Sequence, residues 1–324
     1  MGEPERYRLV VVAPVYEDAE SAALLLGNLG RTFAGLDVTL RVLLVDDGSP
    51  VPLIQQLKLP ADIPLPHVAV LRLRRNVGHQ RAIALGAAFV HEKIPCDAML
   101  VMDADGEDRP EDATRLLARC RELAGERVVF AERTRRSESP LFLGLYQLYR
   151  LLHWVLTGIS VRVGNFSIVP ASRLPALVTL PALWNHYAAA IFQARLPREL
   201  LPTARGTRYR GASKMNFVGL VMHGLQAISV FSDVVAVRLL LAVCLLAGGC
   251  GALAAGSVAT LLYGGPALPP WAPYAIGGLL IAALTLVLGC FSLALTLLTQ
   301  RNSLDFIPIR DYHYFIESSV TVHE

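Results

Sequence analysis

Lysine is nearly absent from this chain of 324 residues: of 30 basic side chains only Lys58, Lys93 and Lys214 are lysines. The formal charge is +3, too small to point to nucleic acid as a partner. Five cysteines show no C-x-x-C spacing, and Cys244, Cys250 and Cys290 lie in apolar runs, which excludes a disulfide framework or zinc site. No G-x-G-x-x-G follows the first apolar run, and neither a P-loop nor H-E-x-x-H occurs. The start, Met-Gly-Glu-Pro-Glu-Arg, carries acids and does not read as a signal peptide. There is no internal repeat and no low-complexity tail.

What the chain has is apolar text, with 53% hydrophobic residues and a mean hydropathy of +0.45. The excess is concentrated in the C-terminal third, so a soluble domain joined to membrane helices is expected. Leu239 to Tyr263 and Ala275 to Leu298 are charge-free and each long enough to span a bilayer. Arg238 precedes the first, Arg301 and Arg310 follow the second, and the Pro-rich loop between them has no basic residue. The positive-inside rule then puts both ends in the cytoplasm and the loop outside. Repeated Gly and Ala in the first span would permit close helix packing and a homo-oligomer.

The N-terminal part alternates short β-rich runs with helical patterns. Strands are expected at Arg8 to Ala13, Leu40 to Val45, Val68 to Leu73, Ala98 to Asp103 and Val128 to Ala131. Helices are expected from Ala19, from Asn76 and from Pro110. This alternation implies an α/β fold with a mainly parallel sheet, whose polar strand ends converge on one edge. Asp103 and Asp105 end the fourth strand one residue apart and can both face one divalent cation, with hard oxygens suited to Mg2+ or Mn2+. Glu111 and Asp112, just after Pro110, read instead as acids of a first helical turn. Leu141 to Leu156 reads equally as a core helix or one lying in the membrane interface, and Lys214 to Asp233 as a second amphipathic helix. His79, His186 and His223 show no partner in the sequence and read as structural.

Five motifs occur in a particular order: Pro14-Val-Tyr-Glu17, Val45-Asp-Asp-Gly-Ser49, Asn76-Val-Gly78, Asp103-Ala-Asp105 and Arg208-Tyr-Arg-Gly-Ala-Ser-Lys214. The ordered set resembles family 2 glycosyltransferases of the GT-A fold and, with two C-terminal spans, their polyprenyl- or dolichyl-phosphate sugar synthase branch. The resemblance implies a GT-A domain over 1–210, a juxtamembrane amphipathic helix over 211–237, two transmembrane helices over 238–300 and a cytoplasmic tail over 301–324. It also implies that Pro14, Tyr16 and Glu17 line a nucleoside pocket, that Asp46 bonds the base, and that Asp47 and Ser49 shape the turn. Asp103, Asp105 and Glu107 would hold Mg2+ or Mn2+ on the donor diphosphate, Glu107 standing where many relatives carry Gln. Arg133, Arg208 and Lys214 would meet phosphate groups and, with Asp105, form the catalytic set. Gly164-Asn-Phe replaces a Gly-Asp-Phe frequent in relatives; Asn165 cannot act as a general base, which suits an acceptor that is already an anionic phosphate.

The implied activity is a metal-dependent inverting transfer of sugar from a UDP- or GDP-linked donor to a polyprenyl phosphate, at the cytoplasmic face of a membrane. The rivals are a transferase acting on another lipid or lipid-linked saccharide, and a silent membrane subunit that binds nucleotide sugar.

Overall fold

A computed structural model describes residues 6–59, 65–133, 140–159, 163–210, 217–263, 269–300 and 306–323. It divides into two compact units: Met1–Tyr146 with Val161–Val230 and Phe306–Glu324, and Gln147–Ser160 with Phe231–Asp305.

The first unit starts as the apolar alternation requires: β1 (Tyr7–Val15), α1 (Ala19–Phe33), β2 (Val38–Asp46), a single turn α2 (Leu53–Gln56), β3 (His67–Leu73) and α3 (His79–Lys93). There follow β4 (Ala98–Val101), α4 (Pro110–Glu122), β5 (Val128–Arg133), α5 (Pro140–Thr157) and β6 (Val163–Pro170). Then come α6 (Leu174–Val178), α7 (Tyr187–Gln193), β7 (Arg198–Thr203) and α8 (Phe217–Ser229). The long α9 (Ser232–Leu262) and α10 (Ala272–Gln300) come next, and α11 (Pro308–Asp311) and β8 (Ile316–His323) finish the chain.

One eight-stranded sheet runs β7-β5-β6-β4-β1-β2-β3-β8. Successive side chains of β1 point to opposite faces, so the strand feeds two cores. Val10 and Val12 pack with α3 residues such as Ile83 and Ala87, while Leu9 and Val11 pack with Leu25 and Leu29 of α1 and Leu116 of α4. Helices therefore cover both faces, which explains why the central strands read as continuous apolar runs. The four strands β3, β2, β1 and β4 pair in parallel, as expected. β6 departs from that pattern, lying antiparallel between β4 and β5.

Residues 316–323 correct the tail expected at the C-terminus. They form β8, antiparallel to β3 at the sheet edge. Aromatic packing fixes the approach: the Trp184 ring lies 3.8 Å from that of Phe306 and 5.1 Å from that of Phe315. Arg81 and Arg75 stack over Trp184 and Phe315. Arg72 pairs with Glu317 at 2.9 Å across the β3–β8 seam.

In the second unit α9 and α10 contain apolar segments, Ser232–Thr260 and Ala272–Thr296, long enough to cross a membrane by length and composition. The last part of α5 belongs to this unit and turns its apolar side outward. Leu148, Leu151, Trp154 and Val155 are exposed, whereas His153 and Thr157 are buried. That exposed apolar side does not fit the core reading of this helix. Arg238, expected as a flanking charge, donates to the carbonyls of Trp154 and Val155 at 3.2 and 2.8 Å and so caps the end of α5. Of the second amphipathic stretch, Phe217–Ser229 is helical, and Lys214 lies outside the described residues.

Candidate active site

Parallel strands place their C-terminal ends on one edge, and the motifs meet there. After β1, Tyr16 and Glu17 are exposed, while Pro14 is buried inside the strand. After β2, Asp46, Asp47 and Ser49 are all buried. The Asp46 carboxylate accepts from the backbone N–H of Ser49 at 3.0 Å and of Leu53 at 2.9 Å. Both its oxygens thus hold its own loop. Ser49 Oγ accepts from the N–H of Glu17 at 3.0 Å and links the first two loops.

Asp47 links the second and third. Its carboxylate accepts from Val77 N–H at 2.8 Å and Gly78 N–H at 3.0 Å. Burial pushes its pKa up, and the two backbone bonds only partly offset that. The turn-shaping part expected of Asp47 and Ser49 therefore has a visible geometry.

The loop after β4 carries the acids. Asp103 N–H donates to buried Asp108 at 2.9 Å, which orients the turn. The Asp105 carboxylate accepts from Glu107 N–H at 2.9 Å and pairs with Arg208 at 2.8 Å. Burial first, and then the charge of Asp103, raise the Asp105 pKa. Two hard carboxylates whose charges oppose each other suit a divalent cation that keeps waters and takes further ligands from a diphosphate. Among the described residues no three His, Cys, Asp or Glu side chains converge as a closed metal cage. Arg205 at 2.7 Å and Arg208 at 3.0 Å take the two oxygens of Glu107.

Three histidines that look partnerless in the sequence have neighbours in the fold. His79 Nε2 lies 3.2 Å from Asp103 Oδ1 and 3.1 Å from Asn165 Nδ2. Desolvation opposes its charge most, but Asp103, Asp108 and Asp105 together outweigh it and raise the His79 pKa. The rings of His186 and His223 lie 4.7 Å apart. Burial, reinforced by His79, lowers the His223 pKa. Asn165 also accepts from Gln80 Nε2 at 3.2 Å, so the Gly-Asn-Phe motif does reach the acidic edge. Arg205 and His79 went unrecognised as site residues in the sequence, because their partners are remote in the chain. Lys214 and the side chain of Arg133 lie outside the described residues.

Undecaprenyl-phosphate 4-deoxy-4-formamido-L-arabinose transferase of Erwinia tasmaniensis is 32% identical over 139 residues, covering 43% of this chain and 41% of that protein. The namesake from Klebsiella pneumoniae is 34% identical over 136 residues, 42% of this chain and 40% of its own. That of Enterobacter sp. is 26% identical over 253 residues, 71% of this chain and 73% of its own. The first of these matches thus spans about two-fifths of its relative's length.

Among solved structures, mannosyl-3-phosphoglycerate synthase from Rubrobacter xylanophilus has a TM-score of 0.48 at 15% identity, covering 70% of this chain and 73% of its own. Glucosyl-3-phosphoglycerate synthase from Mycobacterium tuberculosis has a TM-score of 0.45 at 14% identity, with coverages of 71% and 80%. The model of Glycosyl transferase family 2 matches residues 11–172, half of the chain and the part that holds most of β1 and all of β2 to β6 with Asp103 and Asp105, and the protein belongs to that family.

Proposed function

We propose that this protein is a membrane-anchored, metal-dependent inverting glycosyltransferase that moves a sugar from a UDP- or GDP-linked donor to a polyprenyl phosphate. The observation that carries the reading is the pair Asp103 and Asp105 at the C-terminal end of β4, facing Arg208, in a chain with two candidate spans. The acceptor class rests on relatives named undecaprenyl-phosphate transferases. In one displacement an acceptor phosphate oxygen bonds the anomeric carbon, the sugar–phosphate bond breaks, and its electrons leave with the nucleoside diphosphate.

Mg2+ or Mn2+ held by Asp103 and Asp105 would neutralise charge on that leaving group. Arg208 lies beside them, and its permanently charged planar fork suits the same phosphates. Arg133 and Lys214 belong to this proposal on their motif positions alone. Tyr16 and Glu17 are the exposed residues for the nucleoside; Asp46, Asp47 and Ser49 serve it by fixing the loops. A phosphate acceptor is already anionic, so Asn165 need not remove a proton.

Purified full-length protein, incubated with radiolabelled nucleotide sugars and undecaprenyl phosphate, should transfer label to the lipid phase. Label appearing only on neutral lipid hydroxyls would reject the phosphate acceptor.

The same reading places the sheet in the cytoplasm. β8 follows α10 yet pairs in the sheet that β1 to β7 build, so the chain must return to the side it left. In a background without native cysteines, a cysteine replacing Trp271 should label from outside the cell, and one replacing Ser319 only after permeabilisation. Label from outside at both positions would reject this topology.

A further inference from the structure

The loop 204–210 is fastened onto the acidic loop by backbone and side chains together. Gly206 N–H donates to the Glu107 carbonyl and Tyr209 N–H to the Asp105 carbonyl, each at 2.8 Å. The Tyr209 ring covers Gly106, whose φ is +91° and where a Cβ would overlap the ring. Arg205 donates through Nε and Nη2 to Glu107 Oε2 at 3.0 and 2.7 Å. Arg208 bridges two acids, with Nε on Glu107 Oε1 at 3.0 Å and Nη2 on Asp105 Oδ2 at 2.8 Å.

The Glu107 side chain is only 12% exposed, so these charge-assisted bonds are shielded from water. A carboxylate held on both oxygens by guanidinium groups is poorly disposed to bind a metal as well. Arg208 meanwhile places positive charge against the carboxylate oxygen that a divalent cation would need.

We propose that Glu107 and Arg205 are positioning residues forming a latch for loop 204–210, and that Arg208 is a built-in counter-ion for Asp105. Arg208 stands where divalent charge would act. Were Asp105 to hold a divalent cation, the guanidinium of Arg208 would be free to turn toward a diphosphate, while Glu107 would keep hold of Arg205. The proposal rests on the metal-dependent transferase reading above. It adds an order of events, in which the metal competes with an arginine before the donor engages it.

The test uses full-length protein in detergent and two readouts other than turnover. The first is affinity for Mn2+ alone, from the electron paramagnetic resonance signal of free Mn2+. The second is hydrogen exchange of the amides at 205–209. Arg208→Met should bind Mn2+ about tenfold more tightly, because a competing charge at one carboxylate is gone. Glu107→Gln should keep its Mn2+ affinity while loop exchange speeds by about tenfold. Arg205→Ala should speed exchange similarly, and the double variant should exchange no faster than either single one.

Loss of Mn2+ affinity in Glu107→Gln with unchanged exchange would make Glu107 a ligand and overturn the latch. Unchanged Mn2+ affinity in Arg208→Met would overturn the counter-ion. Failure of the transferase reading looks different: no variant binds Mn2+, yet the loop still responds to Glu107→Gln. That result removes the role given to Arg208 and retains only the anchor.

Discussion

Asp105→Ala and Asp103→Ala should each lower sugar transfer by about 10²–10³-fold, the size of effect seen when a preorganised charge-stabilising group is removed. Both side chains sit on the loop after β4, outside the apolar cores, so the fold should survive. Asp105 permits a sharper test. Burial first, and then Asp103, hold its carboxyl above the ordinary range, so the folded chain binds that proton more tightly than the unfolded chain.

The stability from that proton is present below the unfolded pKa and is lost as pH rises through the folded pKa. At neutral pH the ionised group therefore opposes folding. Asp105→Asn, measured in EDTA by differential scanning fluorimetry, should have a higher Tm than the parent at pH 7 while transfer is lost. A marked fall in Tm would instead make Asp105 a structural residue.

Gly48→Ala should be the most damaging small substitution at the site edge. Gly48 has φ +68°, where an L side chain costs roughly 1 kcal/mol. A Cβ there would also overlap the backbone of Arg75 and Asn76. Relieving that overlap pushes apart the two loops joined by Asp47, Val77 and Gly78. Two buried bonds to a carboxylate, each worth about 1.5–3 kcal/mol, would be strained or lost. A total near 4 kcal/mol corresponds to a fall in Tm of roughly 10 °C. A Tm within about 2 °C of the parent would show that the loops part freely.

The sequence reading succeeds where burial writes itself into the residues. Val10 to Val12, Leu43 to Val45 and Leu100 with Val101 are enclosed on both faces and appear as apolar runs. It falls short at β7 and β8, whose Arg-Glu-Leu-Leu-Pro-Thr and Ile-Glu-Ser-Ser-Val-Thr-Val-His are half exposed at the sheet edges. Edge strands are held by backbone pairing and carry little side-chain signal.

The site divides in the same way. Asp103 and Asp105 are legible because local spacing sets their geometry. The arginine grip on Glu107 spans 98 and 101 positions, so only the folded chain brings those partners together. For Asp46, composition correctly marks a polar strand end, but not the use of its carboxylate on the backbone of its own loop.

β8 also sets a timetable for synthesis. Arg72 on β3 and Glu317 on β8 are 245 positions apart in the chain. At about 5–20 residues per second, the outer edge of β3 stays bare for roughly ten to fifty seconds while α9 and α10 emerge. During that interval the nascent sheet offers an open hydrogen-bonding edge to any neighbouring strand. The sheet is therefore completed last, after both long apolar helices have been made, and a ribosome that stalls before Ile316 releases a sheet with that edge uncapped.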